Sequence, residues 1–115
     1  EICKFLFDRK KTFHFTINDL SNSLKKITIE KISLATIYNT IHAFKDKGYL
    51  KEISINSDKT YFDTNITNHH HFFDENKKEL LDLSDSDVGN IKIKKTLPGK
   101  KIKSIEVLVK IANSN

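Results

Sequence analysis

The chain has 115 residues, a formal net charge of +5, a hydrophobic fraction of 37% and a charged fraction of 30%. That length suits one domain or two small halves sharing an interface, and no apolar run approaches the ~20 residues that span a bilayer, so no membrane partner is expected. Cys3 is the only cysteine, which excludes an internal disulfide and points to a reducing cytoplasm.

No secretory leader opens the sequence, because "EICKFLFDRKK" has its charges after a short apolar patch and no small-residue cleavage site. The "NIT" sequon at 65–67 is therefore read as chance. The chain contains no methionine, so the native protein is expected to begin upstream of Glu1. Charge is uneven along the chain. Residues 1–52 hold ten basic residues against six acids, a net +4, whereas 53–115 hold ten against nine, a net +1. A basic first half, with an overall pI near 9.3, is the electrostatic footprint of a nucleic-acid binder.

In chain order, "ICKFLF" spaces Ile2, Phe5 and Leu6 as the end of an amphipathic helix. "TINDLSNSLKK" offers Thr16 as N-cap with Asp19 three residues on, a capping box, while Ile17, Leu20 and Leu24 supply the apolar stripe. A short connection, "ITIEKI", leads to the strongest helix, "SLATIYNTIHAFKDKGYL". Ser33 caps it, Leu34, Ile37, Ile41 and Phe44 form its stripe, and Gly48 stops it. Its other face carries Thr36, Asn39, Thr40 and His42, small hydrogen-bonding side chains where a merely solvated face would carry Glu and Lys. The period then changes to two. "YLKEISI" and "KTYFDT", joined by "NSD", read as a hairpin. Three helices followed by a ribbon is the plan of a winged helix, whose third helix enters a major groove. The plainer alternative is a small helical core with a solvated polar face.

The second half begins with "YFDTNITNHHHFFDENKKELLD" at 61–82. "HHHFF" and "ELLDL" read as strands around a turn at "DENKK", "SDSDVGNI" as one short helical turn, "LPG" as a loop, and "KIKSIEVLVKI" as a final strand. A three-stranded sheet with so little helix leaves an apolar face that a second copy of the chain would cover. Along a strand alternate side chains share a face, so His69 and His71 point one way and His70 the other. With Asp63, Asp82 and His14 they can close a nitrogen/oxygen site suited to Fe(II), Mn(II) or Zn(II). The competing reading is a chance cluster in an Asn/Lys-rich sequence. No HExxH, GxSxG or P-loop is present, so no enzymatic activity is expected.

"ISLATIYNTIHAFKDKGYLKEI" followed by "KTYFDTNITNHHHFF" resembles the Fur family of bacterial metalloregulators, over about residues 2 to 111. The resemblance implies a regulatory metal held by His14, Asp63, His69, His71 and Asp82, and recognition-helix roles for Ser33, Thr36, Tyr38 and Asn39, with Thr40 beside them. Asn39 stands where many members have arginine, and asparagine reads adenine edges better than guanine. Most members also hold a structural zinc with CxxC pairs. Asp74 and Lys77 occupy those positions here, so no CxxC zinc is expected. The missing cysteines, the uninterrupted HHH and the "LPG…VLVKI" ending are most similar to the Irr (iron response regulator) subgroup, which implies haem as a further ligand at His69, His70 and His71.

The expectation is an α+β chain: a winged-helix DNA-binding domain over 1–60, then a small α/β dimerisation and metal- or haem-sensing domain over 61–115. It would be a cytoplasmic homodimer that binds an AT-rich palindromic operator in double-stranded DNA and regulates iron homeostasis. Ligand binding would change the angle between the halves. Alternatives are a peroxide-, manganese- or zinc-sensing repressor of the same family, and a metal or haem carrier that does not bind DNA.

Overall fold

A computed structural model describes residues 2–28 and 31–114, which fall into two units, Glu1–Ile66 and Thr67–Asn115. Within the "ITIEKI" connection, Ile29 and Glu30 lie outside the described residues.

The first unit runs α1 (Ile2–Phe7), β1 (His14–Phe15), α2 (Ile17–Ile27), α3 (Leu34–Asp46), β2 (Lys51–Asn56) and β3 (Lys59–Asp63). The capping box at the start of α2 is formed. Thr16 Oγ1 accepts from the Asp19 backbone N–H at 3.1 Å, and an Asp19 carboxylate oxygen accepts from the Thr16 N–H at 3.3 Å. Thr16→Ala is accordingly expected to destabilise this unit by about 1 kcal/mol in urea titrations, with the folded-state spectrum unchanged. Ser33 caps α3 in the same way, accepting from the Thr36 N–H at 3.1 Å. The helix closes before Gly48, whose φ of +84° is the left-handed conformation that stops a helix cleanly.

β2 and β3 form the expected hairpin, and β1 adds a third strand to give the order β1-β3-β2, antiparallel throughout. A two-residue strand at His14 has no sequence periodicity to announce it. Its pairing continues outward, because the Phe13 N–H donates to Thr64 Oγ1 and the Thr64 N–H to the Phe13 carbonyl, each at 3.0 Å. Ile2, Leu6, Phe15, Leu20, Leu24, Ile37, Ile41, Leu50 and Phe62 form one buried core. Leu34, expected on the α3 stripe, is 53% exposed, so the helix buries its stripe only from Ile37 onward.

The unit boundary between 66 and 67 differs from the expected one between 60 and 61. A cut at 60 would divide β3, whose ladders to β1 and β2 tie residues 59–63 to the first unit.

The second unit runs β4 (His70–Asp74), β5 (Glu79–Leu83), a single 3-10 turn (Asp85–Asp87) and β6 (Leu108–Ile111). Strand order is β5-β4-β6, with β4 antiparallel to β5 and parallel to β6. The α+β class holds for the chain, while among the described residues of this unit the helical content is the one 3-10 turn. The expected strand over "KIKSIEVLVKI" is realised only at its end. β4 offers partners His71 to Asp74 for Leu108 to Ile111 and the His71 N–H donates to the Val107 carbonyl, while 101–106 have no ladder partner among the described residues. Among the described residues no helix is long and apolar enough to cross a membrane.

Candidate metal centre

The β4–β5 hairpin places the second unit's candidate ligands by register. Its turn is built by Asp74, whose Oδ1 accepts from the Asn76 and Lys77 backbone N–H groups at 3.0 and 3.1 Å, with Lys78 at φ +57°. Counting back from that turn, Phe73 pairs with Leu80 and His71 with Asp82. Directly opposed residues of an antiparallel pair point to the same face. The imidazole and the carboxylate are thus neighbours by strand geometry alone.

His69 precedes β4, yet the alternation holds, and its ring lies 4.4 Å from that of His71. His69 Nε2 is 3.6 Å and His71 Nε2 3.4 Å from Asp82 Oδ1. One donor atom from each of the three residues lies within 4.8 Å of the other two. Two donors about 2.1 Å from a shared ion in tetrahedral geometry stand about 3.4 Å apart, so the spacing suits a first-row divalent cation. The tautomer of His69 suits it as well. Nδ1 lies 2.7 Å from the Thr67 carbonyl oxygen, which can only accept, so Nδ1 carries a proton and Nε2, the nitrogen facing Asp82, is the one that can bind a cation. A ligand histidine whose other nitrogen is held by a carbonyl is the usual outer-shell arrangement of metal sites. An all-nitrogen/oxygen set selects Fe(II), Mn(II) or Zn(II) over thiophilic ions.

His70, the third haem candidate, does different work. Its Nδ1 accepts from the Val107 backbone N–H at 2.9 Å, and Nε2, which then carries the proton, lies 3.2 Å from Asp85 Oδ1. Both ring nitrogens are engaged in joining β4 to the approach of β6 and to the 3-10 turn.

In the first unit the β1–β3 ladder makes His14 and Asp63 direct partners. Asp63 is 1% exposed and its Oδ1 accepts from the Asn65 N–H at 2.9 Å, while the His14 ring is half-buried and edge-on to Tyr61. Within the first unit, then, the ladder sets His14 beside Asp63, and within the second the hairpin gathers His69, His71 and Asp82.

On α3, Ser33, Thr36, Tyr38 and Asn39 are exposed and Thr40 is half-buried. Ser33 spends its hydroxyl on the helix cap and stands 2.8 Å from Thr36 Oγ1. The Thr40 hydroxyl donates to the Thr36 carbonyl at 2.8 Å, so its proton is used within the helix. Tyr38 and Asn39 project the largest polar groups of this face.

Sequence reasoning missed Thr67, Asp85 and Val107. A backbone carbonyl or N–H acting on a histidine leaves no mark on residue type, and only Asp85, three residues after Asp82, carried a visible charge. Of the positions expected to replace the CxxC pair, Asp74 ends β4 and Lys77 lies in the turn that follows, and the Asn113 N–H donates to Asn76 Oδ1 at 2.6 Å, tying that turn to the residues after β6.

Known proteins agree with this architecture. The chain is 34% identical over 70 residues to the peroxide-responsive repressor PerR of Staphylococcus aureus, which covers 61% of this chain and 47% of the repressor. The chain thus spans about half the length of the curated relatives it matches. Among solved structures, the Vibrio cholerae ferric uptake regulator superposes with a TM-score of 0.72 at 18% identity, covering 97% of this chain and 86% of that one. The Pseudomonas aeruginosa regulator with manganese gives 0.70 at 14% identity, covering 99% and 85%. The Campylobacter jejuni peroxide stress regulator gives 0.65 at 23%, covering 99% and 84%. At such identities the superpositions speak for a shared fold, and the sequence profile of the ferric uptake regulator family matches residues 1–111: the chain belongs to that family.

Proposed function

We propose that the chain is a cytoplasmic, homodimeric DNA-binding transcriptional regulator, not an enzyme, whose grip on its operator is set by a divalent metal. The observation that carries this reading is the trio His69, His71 and Asp82, with His69 fixed by Thr67 in the tautomer that presents Nε2. His14 and Asp63, side by side on the β1–β3 ladder, would supply the remaining donors of the family pattern. A bound cation supplies the positive charge that converging acceptors need. The chain's own part is to turn Nε2 of His69 and of His71 toward the Asp82 carboxylate, where a cation would sit among them. The first unit would dock α3 in the major groove of an AT-rich palindrome through Tyr38 and Asn39, with Ser33, Thr36 and Thr40 shaping the helix start. The second unit would dimerise. Its support is the apolar surface it exposes at Leu81, Ile91, Ile93, Leu97 and Ile102.

Two finer readings follow from different observations. Iron regulation of the Irr type, with haem as an effector, rests on the HHH run and on a chain whose only cysteine is Cys3. Peroxide sensing rests on the likeness to the S. aureus repressor, which responds to peroxide.

The test is fluorescence anisotropy of the full chain on an AT-rich palindromic duplex in metal-free buffer, then with Mn(II), then with haemin. Affinity should rise with Mn(II) and fall by at least about tenfold between 50 and 200 mM salt, as released counterions require. Duplex binding present without metal and abolished by haemin would favour the haem reading. No salt-dependent binding under any condition would leave a metal or haem carrier.

A further inference from the structure

The polar face of α3 contains one ring that the recognition roles do not use. His42 follows Tyr38 by four residues, so the two side chains stack one above the other on the helix. Their ring centroids lie 4.2 Å apart with the planes at 41°. On its other side the His42 ring meets Phe62 edge-on, at 5.5 Å and 83°. Phe62 is 2% exposed and lies 6.1 Å from the ring of Phe15, its ladder partner across β1 and β3. A run of rings therefore connects the surface tyrosine of the helix to the buried sheet of the wing.

Tyr38 needs such a support. It is 52% exposed, and with His42 and Phe62 it borders a cleft of about 640 Å³ whose other walls include Asn18, Lys59 and Thr60. Without a ring at position 42, the phenol has room to turn toward that cleft, away from the face that meets a duplex. A side chain ordered before binding also loses less conformational entropy on binding.

We propose that His42 is a positioning residue for DNA recognition: it braces Tyr38 against Phe62 and raises operator affinity without touching the duplex. The inference rests on the DNA-binding reading above. It goes beyond that reading in assigning part of the affinity to a residue behind the interface.

The experiment is a double-mutant cycle on the full chain, using the same duplex with Mn(II) over a salt series, for wild type, His42→Ala, His42→Phe, Tyr38→Ala and the Tyr38→Ala/His42→Ala pair. His42→Ala should weaken binding roughly three- to tenfold, the size of an aromatic pair interaction. His42→Phe, which keeps a ring, should stay within about twofold of wild type on the same scale. In the Tyr38→Ala background His42→Ala should cost nothing further, and the slope of log affinity against log salt should not change, because no phosphate contact is lost. Equal losses in both backgrounds would make His42 a direct contact or a general stabiliser of the fold, and would overturn the proposal. So would an unaltered affinity for His42→Ala. If wild type itself shows no salt-dependent duplex binding, the DNA-binding reading falls first and this inference with it.

Discussion

Replacing His69 and His71 together by alanine is expected to lower Mn(II) affinity by at least about 100-fold, because outer-shell changes alone cost 10- to 100-fold and these are the nitrogen donors themselves. The argument rests on orientation as much as on identity. Thr67 fixes the tautomer of His69, and the β4–β5 register sets His71 opposite Asp82. His70→Ala is the control that separates this site from a general histidine effect. It should leave Mn(II) affinity within about tenfold of wild type, below the range for loss of a ligand. Its cost should appear in stability instead, by about 1 kcal/mol, since the half-buried Val107 N–H loses its acceptor. Isothermal titration calorimetry with Mn(II) and urea unfolding together check both halves. If His70→Ala reduces metal affinity as far as the double variant does, the three histidines act as one cluster, and the division of faces is wrong.

That division shows where residue type is informative and where it is not. The i, i+2 spacing of His69 and His71 and the hairpin turn at Asp74 are local, and a count back from the turn brings Asp82 to His71. The capping box of α2 and the Ser33 cap of α3 are equally local, each closing within three residues of sequence. What the sequence left hidden depends on chain segments meeting across long separations. β1 is two residues long and exists only because β3 returns to pair with it. The extent of β6 is set by the length of β4, not by its own alternation, which continues through Ile102 and Ile105 without a partner strand among the described residues. The outer shell of the site follows the same rule, because Thr67 and Val107 act through backbone atoms that every residue type shares. Even the helical stripe of α3 gave a direction without a limit. Periodicity says which way Leu34 points, but not whether another element lies in front of it.

Phe62→Ala should be among the most damaging single substitutions in the first unit, costing about 3–5 kcal/mol in urea unfolding, as large-to-small changes at buried aromatic positions do. Phe62 is 2% exposed, belongs to the core formed by α1, α2, α3 and the sheet, and contacts the rings of both Phe15 and His42. Small domains hold only about 5–15 kcal/mol in all, so a loss of this size would leave the first unit close to its unfolding threshold. The informative comparison is Leu34→Ala. By pattern Leu34 ranks with Ile37 on the α3 stripe, but at 53% exposure it removes little apolar surface from water, and its truncation should cost less than about 1 kcal/mol. Similar losses for the two variants would mean that Leu34 is covered in solution, by a second copy of the chain or another partner. Concentration-dependent unfolding of the Leu34→Ala variant would then distinguish that cover from the fold's own core.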